Sequence, residues 1–431
     1  MSRTAALISL GCAKNLSDSE DLVTALRSVD FRLTDELDAA DLVLVNTCGF
    51  VADAKQESID HILGAAERRK PAAKLFVAGC LTERYLEDLR ADLPEVDQWV
   101  PFADYERFPA LVRSHFPDAP LHNLTHDQRS QLTPPHYAFL KIAEGCDNTC
   151  NFCAIPLFRG KHRSRPLEEL VEQARILHGR GVKEIDLSSQ HLDYYGQDRY
   201  GERRLPQLIR AVAAAAPGCW LRLHYCYPND FDQALIDAMA ETPEVVPYVD
   251  MPIQHASDRT LAQMGRRTTR AHIEDRLAAI RTAMPDVVLR STFIVGFPGE
   301  REGDFEELLA FMRAQCFDQV GCFPYSDEED TTAARMPHKV PEQEIAARHQ
   351  RFMQQQAELH TARLQRWQGR ELDMLVDGQE DFGRYLCRHY GQAPEVDSCT
   401  LVEAELLPVG DWARVRITGS AGYDLLGEPV A

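Results

Sequence analysis

Glu144-Gly145-Cys146-Asp147-Asn148-Thr149-Cys150-Asn151-Phe152-Cys153-Ala154-Ile155-Pro156 is the stretch on which the reading of this chain turns. Three thiols on one short loop can grip one soft metal centre, and no fourth Cys or His follows locally to close the set. Thiolates select iron–sulfur clusters, zinc or Cu(I). Three ligands with an open position describe a reactive centre rather than a sealed structural one. A zinc loop or three core cysteines are the plainer alternatives.

What flanks the loop sets the fold. Tyr137–Ile142 has the length and apolar content of a strand and feeds directly into it. Beyond it, over residues 136–340, strand-like runs (Glu184–Ser188, Leu221–Cys226, Val246–Met251, Val288–Val295) alternate with helical ones (Leu167–Arg180, Asp232–Met239, Ala271–Ala283). Repeated βα units of this kind predict a full or partial (β/α) barrel with its active residues at the strand carboxyl ends. The cysteine loop follows the first of those strands.

Residues 1–115 alternate as well. Ala5–Leu10, Asp41–Asn46 and Lys74–Ala78 read as strands, and Ser17–Ser28 and Ala52–Arg69 as helices, the first capped by Ser17 or Asp18. This predicts a doubly wound parallel sheet. Each of the three strands ends on a Gly/Cys pair: Gly11-Cys12, Cys48-Gly49 and Gly79-Cys80. Parallel strands present their carboxyl ends on one edge, where ligands bind. Cys12, Cys48 and Cys80 are therefore a second candidate metal site, against the alternative of three small buried hydrophobes. Residues 116–135 read as a linker and 341–367 as a connecting helix. Residues 368–431, with short alternating strands, read as a small antiparallel OB-like β-barrel. Cys219, Cys226, Cys316, Cys322, Cys387 and Cys399 share no spacing and read as non-ligands.

The chain has 431 residues, enough for two or three domains, and carries a formal net charge of −20. Such a surface repels a polyanion such as RNA on average and attracts a basic protein. Only 8 of the 47 basic residues are Lys, a pattern that adaptation to a salty cytoplasm also produces. No apolar run reaches the length of a membrane span, and Met1–Leu10 reads as a first strand rather than an export signal, so a cytoplasmic protein with reduced thiols is expected.

The C-x3-C-x2-C loop, with Phe152 before its third Cys, resembles the cluster loop of radical S-adenosylmethionine (SAM) enzymes. Ser9–Leu16, Val45–Phe50 and Val77–Cys80 resemble the N-terminal domain of methylthiotransferases. Leu140–Cys146, Arg159-Gly160 and Ser164–Pro166 resemble their radical SAM domain, and the last 65 or so residues their TRAM domain. Arg222–Pro228, Pro252–Ser257, Arg290–Glu300, Val320–Ser326 and Ala393–Asp397 are most similar to the branch of the family that modifies a ribosomal protein. The MiaB branch, acting on isopentenylated adenosine in tRNA, is the second reading; a non-enzymatic iron–sulfur or zinc protein is the third.

The resemblance implies two 4Fe-4S clusters, one on Cys146, Cys150 and Cys153 and an auxiliary one on Cys12, Cys48 and Cys80, with two SAM used per turnover. It implies methylthiolation at the β-carbon of an aspartate in the small-subunit ribosomal protein numbered twelve, through a 5′-deoxyadenosyl radical. It also implies an external electron donor and a monomer. Phe152, Ser188, Gln190, Ile294 and Phe297 are the expected SAM-binding residues, and Arg222 and His224 are candidates for holding the substrate carboxylate. One departure stands out: after Ser189-Gln190 the family usually has Asp and Thr, whereas this chain has His191-Leu192 followed by Asp193. Between the first two readings, the C-terminal domain is informative. Its 12 acidic and 5 basic residues, net −7, suit a basic protein better than RNA.

Overall fold

The structure, a computed structural model, describes residues 3–381 and 383–430. The chain forms two compact units: residues 3–133 with 154–161, and residues 134–153 with 162–430.

In the first unit, β1 (Arg3–Ser9), β2 (Phe31–Leu33), β3 (Leu42–Thr47), β4 (Lys74–Gly79) and β5 (Gln98–Val100) form an all-parallel sheet in the order β2-β1-β3-β4-β5. Every residue of β3 is buried, as a central strand covered on both faces requires. Helices α1 (Ala13–Ser28), α2 (Ala52–Arg68) and α3 (Cys80–Asp92) follow β1, β3 and β4. Strand order reverses between β1 and β3, the switch point at which such sheets open a crevice beyond their carboxyl ends.

Helix α1 begins at Ala13, four residues before the expected start, and Cys12 is its N-cap; Ser17 and Asp18 do not cap it. Its first half buries Asn15, Ser17, Asp18, Ser19 and Glu20. The polar side chains of that run find their partners only in three dimensions. The 116–135 stretch is not a loose tether, since Ser130 N donates to Thr24 Oγ1 (2.9 Å) and Leu132 N to Glu20 Oε1 (3.0 Å).

In the second unit, β6 (Tyr137–Lys141) leads into β7 (Ala143–Glu144), which pairs with β8 (Arg163–Ser164). The main sheet continues with β9 (Glu184–Ser188), β10 (Trp220–Leu223), β11 (Val245–Asp250), β12 (Val288–Val295) and β13 (Gln319–Pro324). These six parallel strands lie in strict chain order from β6 to β13, the order of a (β/α) barrel, as an open sheet. The helix Glu342–Leu364 then leads to a closed five-stranded barrel of β14 (Glu371–Asp381), β15 (Arg384–His389), β16 (Thr400–Glu403), β17 (Trp412–Ala421) and β18 (Asp424–Pro429). β15 and β18 escape the sequence reading. β15 buries Arg388 and His389, and β18 carries Gly427 and Pro429, so neither shows clean apolar alternation.

The terminal barrel shares a core with the sheet, Val246, Tyr248 and Val288 packing with Trp367, Met374 and Val415. Its loop 393–397 reaches the strands as well: Tyr137 Oη donates to Glu395 (2.9 Å) and Tyr248 Oη to Asp397 (2.7 Å). No helix among the described residues is long and apolar enough to cross a membrane.

Candidate functional site

The cysteine loop of the second unit starts where β7 ends. Gly145 takes φ +78°, a left-handed turn that swings the chain off the sheet. Cys146, Cys150 and Cys153 are each half-buried. The loop is held from several sides. Asn151 N donates to Met264 O and its Nδ2 to Gln263 O, both at 2.8 Å, and Ala333 N donates to Asn151 O. Arg266 lies over the Tyr227 ring (4.0 Å) with Nη1 3.7 Å from Cys150 Sγ. Gly265, at φ +70°, lets the chain approach the Thr149 carbonyl, which a β-carbon there would meet at 2.7 Å.

Of the expected SAM-binding residues, Phe152, Ile294 and Phe297 come together in one apolar cluster with Met264 and Ala333, the two rings 6.5 Å apart. Ser188 and Gln190 form a separate polar group at the end of β9. Gln190 Nε2 donates to Glu144 (2.8 Å), while Ser188 Oγ and Gln190 Oε1 are buried without a hydrogen-bond partner among the described residues. Buried orphan polar atoms are uncommon. Here they fit a polar ligand above the strand ends. Two non-glycine residues just beyond strand ends, Tyr225 (φ +64°) and Gln254 (φ +76°), also sit in the left-handed region, a cost that clusters at functional sites.

Arg222 is occupied elsewhere. Its Nε and Nη2 donate to Glu184 Oε1 (2.8 and 2.6 Å), its Nη1 to Tyr390 O, and it is fully buried. It is a buried member of an ion-pair network. His224 is buried between Asp186 (3.5 Å) and Asp250 (3.7 Å). His191 stands where the family usually has Asp. It is buried, 2.8 Å from Asp230 and 3.2 Å from Asp193, and its Nδ1 is 3.1 Å from Asn148 Nδ2 in the cysteine loop. Burial disfavours its charge, but Asp193, Asp230 and Cys146 outweigh that and push its pKa up to about 12. Asp193 turns inward too, accepting from Tyr227 N (2.8 Å).

In the first unit Cys12, Cys48 and Cys80 stand beyond the carboxyl ends of β1, β3 and β4, the three adjacent central strands. Cys12 caps α1 and Cys80 opens α3, so the positive ends of two helices point at sulfur. The glycines are needed for closeness. A β-carbon at Gly11 would lie 3.1 Å from Cys48 Cβ, and one at Gly49 would lie 2.8 Å from Leu81 backbone. Gly79, at φ +98°, has Asn46 Oδ1 and the Thr47 backbone where a β-carbon would go.

Asn15 ties the edge together, donating to Leu10 O (3.0 Å) and Thr47 O (2.8 Å). Desolvation raises the Cys12 thiol, but Lys14, the Asn15 and Lys14 backbone N–H groups and Arg159 together hold it below its ordinary value. Burial pushes Cys80 up to about 12. Metal ligation deprotonates such a thiol outright. Three cysteines on one strand edge, glycine-lined and with two of them at helix N-termini, fit an anionic iron–sulfur group. Asn15, Arg159, Asn148, Arg266 and Asp230 escaped the sequence reading. Of these, Asn15 lies in the quoted stretch Ser9–Leu16, Asn148 in the cysteine loop and Arg159 in Arg159-Gly160, whereas Arg266 and Asp230 lie in no quoted motif.

Comparison with known proteins agrees with this architecture. Residues 4–101 match Uncharacterized protein family UPF0004, residues 140–312 the Radical SAM superfamily and residues 369–430 the TRAM domain. The ribosomal protein uS12 methylthiotransferase RimO of Symbiobacterium thermophilum is 44% identical over 437 residues, covering 98% of this chain and 90% of the relative. That of Geobacter sulfurreducens is 41% identical, covering 99% and 98%. Among solved structures, the radical SAM methyltransferase TsrM from Kitasatospora setae superposes with a TM-score of 0.57 at 14% identity, over 74% of this chain and 73% of that one. The cobalamin-dependent radical SAM enzyme OxsB gives 0.53 at 12%, over 82% and 56%. At these identities the likeness is one of fold. A radical SAM fold implies a 4Fe-4S cluster and SAM. Match along nearly the whole length, at this identity, places the chain in the RimO family of radical SAM methylthiotransferases.

Proposed function

We propose that this chain adds a methylthio group to the β-carbon of an aspartate in the small-subunit ribosomal protein uS12, working as a cytoplasmic monomer with an external electron donor. The relatives are named ribosomal protein uS12 methylthiotransferases. The observation that carries the reading is the pair of three-cysteine sites. Cys146, Cys150 and Cys153 hold the cluster that engages SAM; Cys12, Cys48 and Cys80 hold a second 4Fe-4S cluster for the sulfur that is transferred. Two SAM are used per turnover, one for the methyl group and one for the radical.

An aliphatic C–H bond is too weakly acidic for a general base. When bound, cluster and SAM supply one-electron chemistry able to break it, and the protein supplies binding and orientation. Phe152, Ile294 and Phe297 form an apolar wall for the adenosyl group, and Ser188 Oγ and Gln190 Oε1 offer it polar contacts. Asn151 and Arg266 hold the loop that carries the cluster. The net −7 of the terminal barrel favours a Lys/Arg-rich protein substrate.

The test is mass spectrometry of uS12 and of bulk tRNA nucleosides from cells with and without the gene. A methylthio mass on the uS12 aspartate that vanishes with the gene is the expected result. Loss of a methylthio nucleoside with uS12 unchanged moves the activity to tRNA, and no change in either overturns the reading.

A further inference from the structure

Arg159 lies six residues beyond Cys153 in the chain, yet it packs within the first unit, at the N-terminal three-cysteine site. It is buried, at 4% exposure. A buried guanidinium needs a counter-charge and filled donors. Asp18, itself buried, supplies the charge at 2.7 Å from Nη1. The Phe102 ring covers the cation at 4.4 Å. The other arm of the fork, Nη2, is directed at Asn15 Oδ1 (2.5 Å) and at Cys80 Sγ (3.1 Å). Asn15 is itself held by two backbone carbonyls, which fixes its Oδ1 as an acceptor. An ion pair with Asp18 alone would not require an N–H group aimed at sulfur.

We propose that Arg159 is a positioning residue of the Cys12/Cys48/Cys80 site that donates an N–H···S hydrogen bond to Cys80 and raises the reduction potential of the cluster held there. The inference rests on the two-cluster reading above. Hydrogen bonds to cluster sulfurs and nearby charge are what set such potentials. Reduction adds negative charge to the cluster, and a guanidinium in contact with a ligand sulfur stabilises that added charge. Lysine is a point charge on a flexible stem and cannot serve Asp18, Asn15 and Cys80 from one planar fork. Asp18 opposes the effect by partly neutralising the cation.

The experiment uses the full-length chain carrying C146A, C150A and C153A, reconstituted anaerobically with iron and sulfide, so that only the N-terminal site is loaded. Iron is counted, and the midpoint potential is read by an electron paramagnetic resonance redox titration. With Arg159 intact one cluster assembles. R159M lowers its midpoint, R159K gives an intermediate value, and D18N raises it. If no cluster assembles with Arg159 intact, the two-cluster reading fails and this inference with it. If the cluster assembles but R159M and D18N leave the midpoint unchanged, the inference alone is overturned. Should R159M lose its iron, R159K and D18N still decide: opposite shifts support it, and unmoved midpoints overturn it.

Discussion

Arg388 of the terminal barrel places Nη1 2.7 Å from Glu184 Oε2, at the start of a central strand, with both side chains buried. The same Glu184 accepts from Arg222, and Arg388 also pairs with Asp377, which His136 contacts at 2.8 Å. The terminal barrel and the central sheet thus share one buried ionic network. Removing one partner of such a pair strands a charge and costs about 3–5 kcal/mol. R388M is expected to destabilise the second unit by about that amount, read by urea unfolding, and adding E184Q recovers part of the loss.

The network also sets an acid limit. Burial works against ionisation of Glu184, but Arg388 and Arg222 outweigh it and hold the carboxyl below its ordinary range. His136 and Arg388 do the same for Asp377 against its own burial. A depressed folded pKa contributes stability above the unfolded value, about 4.3 for Glu, and that contribution is lost as pH falls through the folded value. Melting temperature is therefore expected to hold level on the neutral side of that value and to fall in acid. R388M flattens the acid slope; an unchanged slope would show that other carboxylates govern it.

Glu300 and Arg348 govern the turn after β12. Arg348 Nη1 donates to Glu300 Oε1 (2.7 Å), and Gly296 N donates to Glu300 Oε2 (2.9 Å). Ile345, one turn earlier on the Arg348 helix, fills the space where a Gly296 β-carbon would stand. The turn carrying Phe297 is thereby clamped from the connecting helix. R348M should weaken SAM binding by about tenfold, about 1.4 kcal/mol, in equilibrium dialysis, with iron content unchanged. R348K should restore part of it.

Gly79 tests the N-terminal cradle. Alanine there meets both a strained φ of +98° and the Asn46 and Thr47 atoms beside it. G79A is expected to cost about 1–3 kcal/mol and to lower the iron proposed to bind at Cys12, Cys48 and Cys80. G64A, where a β-carbon meets nothing within 4 Å, is the control. Equal iron in the two variants would refute the cradle.

His191 Nε2 lies between Asp193 (3.2 Å) and Asp230 (2.8 Å). H191A leaves two carboxylates facing each other and frees Asn148 of the cysteine loop. The expected result is a loss of about 3 kcal/mol together with a changed visible spectrum of the loop's cluster. The double variant H191A/D193A recovers stability but not the spectrum.

Much of this protein is local enough to read from one sequence. Strand–helix alternation reports a period of side-chain burial, so the parallel sheets and most strand spans are legible, as with Glu184–Ser188 and Val288–Val295. The six candidate cysteines can be singled out because spacing within a loop, and a repeated Gly/Cys pair after successive strands, are properties of the chain itself. What the tertiary structure decided is where polar side chains find partners. The first half of α1 is polar and buried because Asn15 and Asp18 meet carbonyls of other segments and Arg159. Arg222 is paired with Glu184, and the pKa of His191 is raised because Asp193 and Asp230 converge on it. A buried charge is stable only beside its counter-charge, and those partners lie far apart in the chain. No periodicity or spacing can announce them.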